Sequence, residues 1–424
     1  MPSNQNDTKF IIRKSRKISG TIPVKGAKNH ALKVLAAAVL TDKDVKITNV
    51  PQIEDIQRKI ELLELIGVKV KKEKDTLVLN AKNIKTTVLE PEKSSTIRTS
   101  IILAAALLSR FGKVSFYHPG GCILGKRPVD IFLLGFEKLG AKLSYKNKFI
   151  QVTAPRGRLV GGEFFFRRIS VTATEALIIA AVLAKGKTIL KNAALEPEIV
   201  ALAKFLNGCG AKIRGAGTPT IQIEGVKKIN GGLTRIIPDR IETATFVILG
   251  ALHRAKLRIS NCNPDHVEPL LERLIAAGAN FRIGKNYIEC LPYKGLEGTN
   301  VITHEYPGFA TDIQPPFTVL MTQAKGQSLI HDPIFEGRLF FTDNLVQMGA
   351  NIIMCDPHRI VVQGPTQLVG KKLASPDIRA GIALVLAGSI AHGETEIDNI
   401  YQIDRGYEKI DERLRKIGVN IIRI

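Results

Sequence analysis

The segment Leu139-Gly140-Ala141-Lys142-Leu143 is one copy of a short pattern. In this pattern a glycine follows an apolar residue and precedes a run in which apolar and polar residues alternate. The pattern occurs six times, and its glycines are residues 67, 140, 210, 278, 349 and 418. Neighbouring glycines stand 68 to 73 residues apart. A regular period of this length indicates a repeat architecture, with one supersecondary unit in each repeat.

Each glycine is expected to separate a helix from a strand. In the first copy, the apolar residues Ile56, Ile60 and Leu63 lie at helical spacing before Gly67, which is typical of an amphipathic helix that ends at a glycine. Every repeat also contains an upstream segment rich in Ala, Leu and Ile, which predicts a buried helix. These segments are 31–40, 100–108, 173–184, 243–253, 316–324 and 378–391.

The repeats predict an α/β fold with two similar domains, each built from three repeats of about 70 residues. A chain of 424 residues is also too long for one hydrophobic core, so two domains are the natural expectation. We expect one domain over residues 28–237 and a second over residues 9–27 together with 238–424. Residues 1–8 are polar, and we expect them to form a disordered extension.

Composition favours a soluble protein of the cytoplasm. The longest apolar runs, at 101–108 and 176–184, fall short of the roughly 18 residues that a membrane span needs, so we expect no membrane insertion. The first residues show no signal-peptide pattern. The five cysteines are odd in number and scattered, which favours neither a disulfide framework nor a metal site. The oligomeric state is expected to be a monomer or a weak homo-oligomer.

The net charge of +22 leaves several interpretations open. It can reflect a lysine-rich lineage, an anionic surface or nucleic acid as partner, or a polyanionic small substrate that needs several cations. Lysine and arginine occur along the whole chain, aromatic residues make up 6%, and tryptophan is absent. These features argue against nucleic acid and favour the polyanionic substrate.

The starts of the buried helices carry polar and charged residues. They are Lys28 and Asn29, Thr96–Ser100 around Arg98, Ser170–Thr174, Asp239 with Arg240 and Glu242, Thr311 with Asp312, and Asp377 with Arg379. Helix capping is the simpler explanation for Ser170 and Thr174. It does not explain Lys28, Arg98 and Arg379, because the helix dipole disfavours cations at this end. These three cations predict a bound anion, and the six helix starts are expected to converge on one cleft.

Residues 118–128, His-Pro-Gly-Gly-Cys-Ile-Leu-Gly-Lys-Arg-Pro, are expected to form a mobile loop. The spacing from Gly120 to Lys126 imitates a phosphate-binding loop, but Arg127 stands where that motif needs Ser or Thr. Cys122 lies near two cations that favour its thiolate, so it is a candidate acid or nucleophile. We expect the other four cysteines to be buried structural thiols.

Together these residues resemble the family of UDP-N-acetylglucosamine 1-carboxyvinyltransferases over nearly the whole chain. The fold of that family is an inside-out α/β barrel of two domains with a cleft between them, in agreement with the six repeats. The segments that carry the resemblance are 26–29, 119–122, 125–130, 196–200, 238–243, 311–312, 335–338 and 404–408.

The resemblance implies that the enolpyruvyl group of phosphoenolpyruvate is transferred to the sugar 3-hydroxyl of UDP-N-acetylglucosamine by addition and elimination, without metal or organic cofactor. Lys28 and Arg405 are implied in catalysis, Asp312 as the carboxylate at the 3-hydroxyl, and Cys122 as proton donor, covalent adduct site and target of fosfomycin. The residues implied to bind phosphoenolpyruvate are Lys28, Asn29, Arg127, Arg338, Arg379 and Arg405. Those implied to bind UDP-N-acetylglucosamine are Arg98, Arg127, Pro128, Val129, Asp130, Ile131, Arg168, Ile169, Ser170, Val171, Asp312 and Ile334.

Three positions depart from the family pattern. Arg168 replaces a usual Lys, Thr172 a common Gly, and Phe132 a frequent His. Thr172 adds bulk beside the expected diphosphate site. Two rival functions stay open: the sister enolpyruvyl transferase that acts on shikimate 3-phosphate, and a non-catalytic paralogue that binds nucleotide sugars.

Overall fold

The computed structural model describes residues 8–90, 100–117, 129–146 and 149–424. These residues form two compact units. The first unit lies within residues 26–237, and the second comprises residues 8–25 and 238–424. The chain passes between the units at Lys25–Gly26 and Ile237–Pro238, whereas the predicted boundaries followed residues 27 and 237. Residues 1–7 of the predicted disordered extension lie outside the described residues.

Helices in each unit are of two kinds: Ala-rich helices that are almost wholly buried, and amphipathic helices beside them. In the first unit they are α1 (Lys28–Ala37), α2 (Glu54–Leu65), α3 (Ser100–Phe111), α4 (Asp130–Lys138), α5 (Val171–Val182) and α6 (Pro197–Gly208). In the second unit they are α7 (Arg240–Leu252), α8 (Glu268–Ala276), α9 (Gln314–Met321), α10 (Thr342–Gln347), α11 (Ile378–Ile390), α12 (Tyr401–Asp404) and α13 (Ile410–Lys416). Short 3₁₀ turns occupy Ala38–Leu40, Pro155–Gly157, Pro264–Val267 and Thr311–Ile313.

The buried helices are α1, α3 and α5 in the first unit and α7, α9 and α11 in the second. In the first unit α3 packs against both α1 and α5, and in the second α9 packs against both α7 and α11. Each unit therefore has its own apolar core of helices. All six predicted buried helices are confirmed, with ends shifted by a few residues.

The strands are short and belong to six four-stranded sheets. The strands of the first unit are β3 (Val45–Thr48), β4 (Lys69–Glu73), β5 (Thr76–Asn80), β6 (Val88–Leu89), β7 (Lys113–Tyr117), β8 (Lys142–Lys146), β9 (Phe149–Thr153), β10 (Glu163–Phe165), β11 (Lys187–Lys191), β12 (Lys212–Arg214), β13 (Thr220–Glu224) and β14 (Gly232–Arg235). Those of the second unit are β1 (Phe10–Arg13), β2 (Gly20–Pro23), β15 (Leu257–Ser260), β16 (Asn280–Gly284), β17 (Tyr287–Leu291), β18 (Val301–Ile302), β19 (Gly326–His331), β20 (Asn351–Asp356), β21 (Arg359–Gly364), β22 (Lys372–Ala374), β23 (Glu394–Asp398) and β24 (Asn420–Arg423).

All six described sheets share one pairing scheme, in which a parallel pair is extended by two antiparallel pairs. The first unit contains the orders β14-β3-β5-β4, β6-β7-β9-β8 and β10-β11-β13-β12. The second contains β16-β17-β15-β2, β18-β19-β21-β20 and β22-β23-β1-β24. The two N-terminal strands complete two of the sheets in the second unit.

A glycine ends each amphipathic helix, as the sequence predicted, and its backbone is left-handed, with φ between +82° and +105° at all six copies. The glycine N–H donates to the carbonyl three residues earlier, and the next N–H donates to the carbonyl five residues earlier. Gly210 to Asn207 and Ala211 to Leu206 are one such pair. These two hydrogen bonds form the Schellman motif, which satisfies the last helical carbonyls and turns the chain into the following strand.

A cluster of ionisable side chains lies inside the first unit, where the sequence predicted apolar helices. The Lys33 Nζ atom of α1 lies 3.3 Å from Oε2 of Glu175 of α5, and both side chains are almost fully buried. Lys59 of α2 is fully buried. Burial, together with the charge of Lys33, lowers the pKa of Lys59 to about 7. Burial raises the pKa of Glu175 to about 8, although Lys33 opposes that shift.

His30 joins this cluster to the segment that leaves the first unit. Its Nδ1 atom accepts a hydrogen bond from the Ile237 N–H at 3.3 Å, and Ala27 N–H donates to the Ile237 carbonyl at 2.7 Å. Burial lowers the pKa of His30 to about 4, against the opposing charge of Glu198. The imidazole is therefore neutral at pH 7, as its role as acceptor requires.

Gly210→Ala is expected to destabilise the protein by about 1–2 kcal/mol, because alanine resists the left-handed conformation. The added methyl has room, since its nearest neighbour is Asn230 Nδ2 at 3.9 Å, so the effect isolates the backbone. Gly208→Ala is the control, because Gly208 ends α6 without a positive φ and nothing lies within 4 Å of its Cβ position. Urea unfolding measures both variants, and equal stability of the two would contradict the left-handed cap.

Lys59→Met is expected to stabilise the protein at pH 7 by roughly 2–5 kcal/mol. The unfolded chain holds the Lys59 proton up to about pH 10.5 and the folded chain up to about pH 7. The destabilisation that Lys59 causes therefore has its full value below about pH 7. It disappears as the pH rises towards 10.5.

The free energy of unfolding is measured between pH 7 and 10 for the wild type and for Lys59→Met. The rise with pH should be smaller in the variant. Lys204→Met, which alters an exposed lysine of α6, should leave the wild-type slope unchanged. A Lys59→Met protein that is less stable than the wild type at pH 7 would refute the proposed penalty.

Candidate functional site

The second unit brings three of the predicted site residues into direct contact. Asp312 lies in the 3₁₀ turn before α9, Arg338 precedes α10, and Arg379 is the second residue of α11. The Arg338 Nη2 atom donates to Asp312 Oδ1 at 2.8 Å. The Arg379 Nε and Nη2 atoms both lie 3.0 Å from Asp312 Oδ2. One carboxylate therefore holds two guanidinium groups, each through a different oxygen.

Burial makes this arrangement electrostatically strong. The side chains of Arg338 and Arg379 are 2% and 7% exposed, whereas that of Asp312 is 27% exposed. The cluster thus presents its carboxylate to solvent and keeps its cations beneath. Burial alone would lower the pKa of the Arg379 guanidinium, but the charges around it, led by Asp312, raise that pKa above its ordinary value.

Tyr407 extends the cluster towards α7. Arg379 Nη1 donates to the Tyr407 hydroxyl at 3.4 Å, and that hydroxyl lies 3.0 Å from Thr245 Oγ1. Burial raises the pKa of Tyr407 to about 12. Within the second unit, Tyr407 and Arg379 therefore connect α7 with the starts of α9 and α11. Of the helix starts that were expected to converge, those of α9 and α11 are in direct contact through Asp312 and Arg379.

Capping explains part of the polar sequence at the helix starts. Ser170 Oγ accepts from the Ala173 N–H at 3.3 Å, as the capping alternative predicted. Asp239 accepts from the N–H groups of Ile241 and Glu242, and Asp377 from those of Arg379 and Ala380. Thr174 does not cap its helix, since its hydroxyl accepts from the Ala194 N–H and lies inside the first unit. That part of the capping prediction is wrong.

Asp332 organises the loop that leads to Arg338. Its Oδ1 accepts from the N–H groups of Ile334 and Phe335, and its Oδ2 accepts from the Thr311 hydroxyl at 2.5 Å. The side chain is fully buried. Asp332 therefore ties the loop that carries Ile334 to the turn that carries Asp312.

In the first unit, Lys28 is the first residue of α1. Its Nζ atom lies 3.2 Å from Asp55 Oδ2 at the start of α2, and both side chains are mostly buried. Asn29 is half-buried beside it. The helix has no side-chain cap, because Ala27 precedes it. Lys28 thus carries its charge at an uncapped helix start.

The remaining predicted residues are less closely connected. Arg405 is half-buried, and its Nη1 donates to Gln402 Oε1 at 3.0 Å. Val129, Ile131 and the departing residue Phe132 are buried. Asp130 and Arg168 are exposed, while Ile169, Val171 and Thr172 are half-buried. Arg98, Cys122, Arg127 and Pro128 lie outside the described residues.

The other cysteines fit the structural expectation in three cases. Cys209, Cys262 and Cys290 are buried. Burial raises the pKa of Cys209 and Cys262 to about 11 and raises that of Cys290 further. Cys355 is exposed on β20, so the prediction of a buried thiol is wrong there. The apolar strand around Cys355 suggested burial. The thiol is exposed because β20 is an edge strand and its register shifts between Met354 and Asp356.

Sequence reasoning missed several partners of the charged residues, among them Asp55, Thr245 and Asp332. Tyr407 stood in the segment that carried the family resemblance, yet it received no role. Asp55 had a detectable signal, since it is an acid in the first turn of a helix that follows Lys28 closely in the chain. Asp332 had none.

The described residues lack two further features. No helix among them is long and apolar enough to cross a membrane. In the same part of the chain, no group of three or more His, Cys, Asp or Glu side chains is arranged to hold a metal ion.

Comparison with known sequences identifies relatives along the full length. The pattern of the family EPSP synthase (3-phosphoshikimate 1-carboxyvinyltransferase) matches residues 12–414. A protein of Solibacter usitatus named UDP-N-acetylglucosamine 1-carboxyvinyltransferase is 42% identical over 98% of this chain and 99% of its own. A protein of Koribacter versatilis with the same name is 41% identical over 98% of this chain and 96% of its own.

Solved structures show the same fold. The enolpyruvyl transferase NikO from Streptomyces tendae matches with a TM-score of 0.88 at 24% identity, over 99% of both chains. EPSP synthase from Acinetobacter baumannii matches with a TM-score of 0.76 at 18% identity, over 98% of this chain and all of its own. The predicted inside-out α/β barrel is thereby confirmed. With relatives above 40% identity across nearly its whole length, the chain belongs to the enolpyruvyl transferase family, among the UDP-N-acetylglucosamine 1-carboxyvinyltransferases.

Proposed function

We propose that this protein transfers the enolpyruvyl group of phosphoenolpyruvate to the 3-hydroxyl of UDP-N-acetylglucosamine and releases inorganic phosphate. The identity of 41–42% to relatives named for this activity carries the proposal. The buried cations of the second unit support it, because a substrate with a phosphate and a carboxylate needs several of them. The reaction is the first committed step of peptidoglycan synthesis, and we propose a cytoplasmic location and a monomer or weak homo-oligomer.

Phosphoenolpyruvate is held by cations that the family resemblance assigns. Arg338 and Arg379 bind its carboxylate, since each offers paired donors from a buried position. Lys28, at the uncapped start of α1, binds its phosphate, with Asn29 beside it. Arg405 also binds the phosphate, as does Arg127 of the loop at residues 118–128.

A second set of residues binds UDP-N-acetylglucosamine. Ser170 and its neighbours at the start of α5 receive the diphosphate through backbone N–H groups. Arg127 and Pro128 pack on the uracil, and Ile334 approaches through the loop that Asp332 holds. The full proposed set is Arg98, Arg127, Pro128, Val129, Asp130, Ile131, Arg168, Ile169, Ser170, Val171, Asp312 and Ile334.

Asp312 accepts the proton of the sugar hydroxyl. Its two oxygens accept hydrogen bonds from Arg338 and Arg379. A substrate carboxylate that takes donors from these guanidiniums withdraws hydrogen bonds from Asp312. Because such bonds stabilise the charged carboxylate, their withdrawal makes Asp312 a stronger base. Binding of phosphoenolpyruvate thereby activates Asp312 for removal of the proton from the sugar hydroxyl.

The chemistry proceeds in two balanced steps. The sugar oxygen bonds to C2 of phosphoenolpyruvate as Asp312 takes the hydroxyl proton, and C3 gains a proton from Cys122. The C2–O bond to phosphate then breaks as C3 returns a proton to the Cys122 thiolate and the double bond reforms, and the phosphate leaves with the proton that Asp312 held. Cys122 also forms a covalent adduct with phosphoenolpyruvate, in which its sulfur bonds to C2 while C3 gains the thiol proton. Neither step requires a metal or organic cofactor.

The substrate specificity is tested by phosphate release from phosphoenolpyruvate. We expect release in the presence of UDP-N-acetylglucosamine and none with shikimate 3-phosphate. The control is a reaction without acceptor, which measures spontaneous hydrolysis. Release with shikimate 3-phosphate alone would assign the sister activity. Absence of release with either acceptor, in a protein that still binds UDP-N-acetylglucosamine, would identify a non-catalytic paralogue.

The role of Cys122 is tested by labelling with fosfomycin. Cys122→Ser is expected to abolish the covalent label, seen as a mass increase of the intact protein. Cys355→Ser is the matched control, because Cys355 is the exposed thiol among the described cysteines. That variant should label as the wild type does. Loss of the label in Cys355→Ser, with labelling retained in Cys122→Ser, would assign the reactive thiol to β20.

A further inference from the structure

Positive charge is concentrated in one of the two units, although lysine and arginine occur along the whole chain. Residues 26–237 contain 35 basic and 17 acidic residues, a net charge of +18. The remaining residues contain 26 basic and 22 acidic residues, a net charge of +4. The anionic substrates do not explain this imbalance, because the second unit supplies Arg338, Arg379 and Arg405 with little excess charge.

The excess lies in part on the sheets of the first unit. Its described strands carry twelve basic and three acidic residues, against six and five in those of the second unit. Ten of the twelve are lysines. The same sheet architecture is therefore basic in one unit and nearly neutral in the other.

The sheet β6-β7-β9-β8 combines this charge with an open face. The face turned away from the core is formed by alternate residues of three strands, since Val114, Phe116, Ile150 and Val152 are buried on the other side. At one end Lys113 pairs with Thr153, which pairs with Lys142. At the other end Tyr117 pairs with Phe149, which pairs with Lys146. We call this nine-residue surface, which also includes Ser115, Gln151 and Ser144, the lysine face.

The lysine face has no acidic residue, and the four strands of its sheet contain none. Lys113, Lys142 and Lys146 are all exposed. The rings of Tyr117 and Phe149, which belong to this face, meet edge to face with centroids 6.1 Å apart. Lysines beside amphipathic aromatic rings are the composition of surfaces that adsorb to the headgroup region of a membrane.

We propose that the lysine face is a docking surface for an anionic lipid bilayer, on which the protein adsorbs reversibly without insertion. The charge of the face is complementary to an anionic leaflet, and each lysine near such a surface contributes to binding by the potential alone. The predominance of lysine favours this partner over nucleic acid, because specific nucleic-acid recognition favours the planar guanidinium of arginine, which stacks and donates paired hydrogen bonds. The remaining positive charge of the first unit strengthens the attraction at distances within a Debye length.

The test measures binding to vesicles by sedimentation. The wild type should bind vesicles made of equal parts phosphatidylglycerol and phosphatidylcholine, and should not bind phosphatidylcholine alone. Added salt should release it, because screening weakens a purely electrostatic contact. The triple variant Lys113→Gln, Lys142→Gln, Lys146→Gln should bind about a hundredfold more weakly.

A matched control removes the same charge elsewhere. Lys285, Lys294 and Lys325 are exposed lysines of the second unit, and their triple glutamine variant should keep its vesicle affinity within about threefold of the wild type. None of the six lysines belongs to the proposed active site. Retained phosphate release in both variants would show that they are folded, and circular dichroism gives that answer independently of activity.

Three outcomes would overturn the proposal. Equal binding to charged and neutral vesicles would remove its electrostatic basis. An equal loss in both triple variants would assign binding to net charge instead of the lysine face. A uridine homopolymer that binds more tightly than the vesicles, through the same three lysines, would make the face a nucleic-acid surface.

Discussion

The left-handed glycine at the end of each amphipathic helix is the constraint on which the repeats depend. The two hydrogen bonds of the motif close the helix and start the edge strand within two residues, so the helix lies against the sheet of its own repeat. A side chain at that position would strain the turn. Because the same turn occurs in all six repeats, six similar sheets form, and the Ala-rich helices are left to fill the centre of each unit.

This constraint is local, which is why the sequence predicts the fold well. The glycines, the helical spacing before them and the Ala-rich segments are each visible within about a dozen residues. The helix ends were less accurate for physical reasons. The helix α1 starts at Lys28, before its apolar pattern begins, and α9 starts at Gln314 because Pro315 and Pro316 are tolerated in a first turn.

The candidate site was predictable in its residue types and not in its contacts. Cations at helix starts indicated an anion, and the family resemblance supplied roles for them. The partners lie far away in the chain, however, as with Arg379 and Asp312, so no local pattern could pair them. The buried pair of Lys33 and Glu175 was missed for a related reason, since Lys33 lies in the apolar part of α1 and Glu175 is the one charged residue of α5. A charged residue in an apolar stretch of a helix indicates that it has a partner, but the sequence does not identify that partner.

The pairing of the N-terminal strands constrains the order in which the two units of this protein fold. The strand β1 pairs with β23 and β24, and the N–H groups of Lys9 and Ile424 each donate to the carbonyl of the other. The last sheet therefore closes between the first and the last strands of the chain. The first unit is formed by one continuous stretch, residues 26–237, whereas β1 pairs with strands that are translated after that stretch. The first unit can therefore fold during translation before the sheet of β1 closes, which makes it the earlier folding unit.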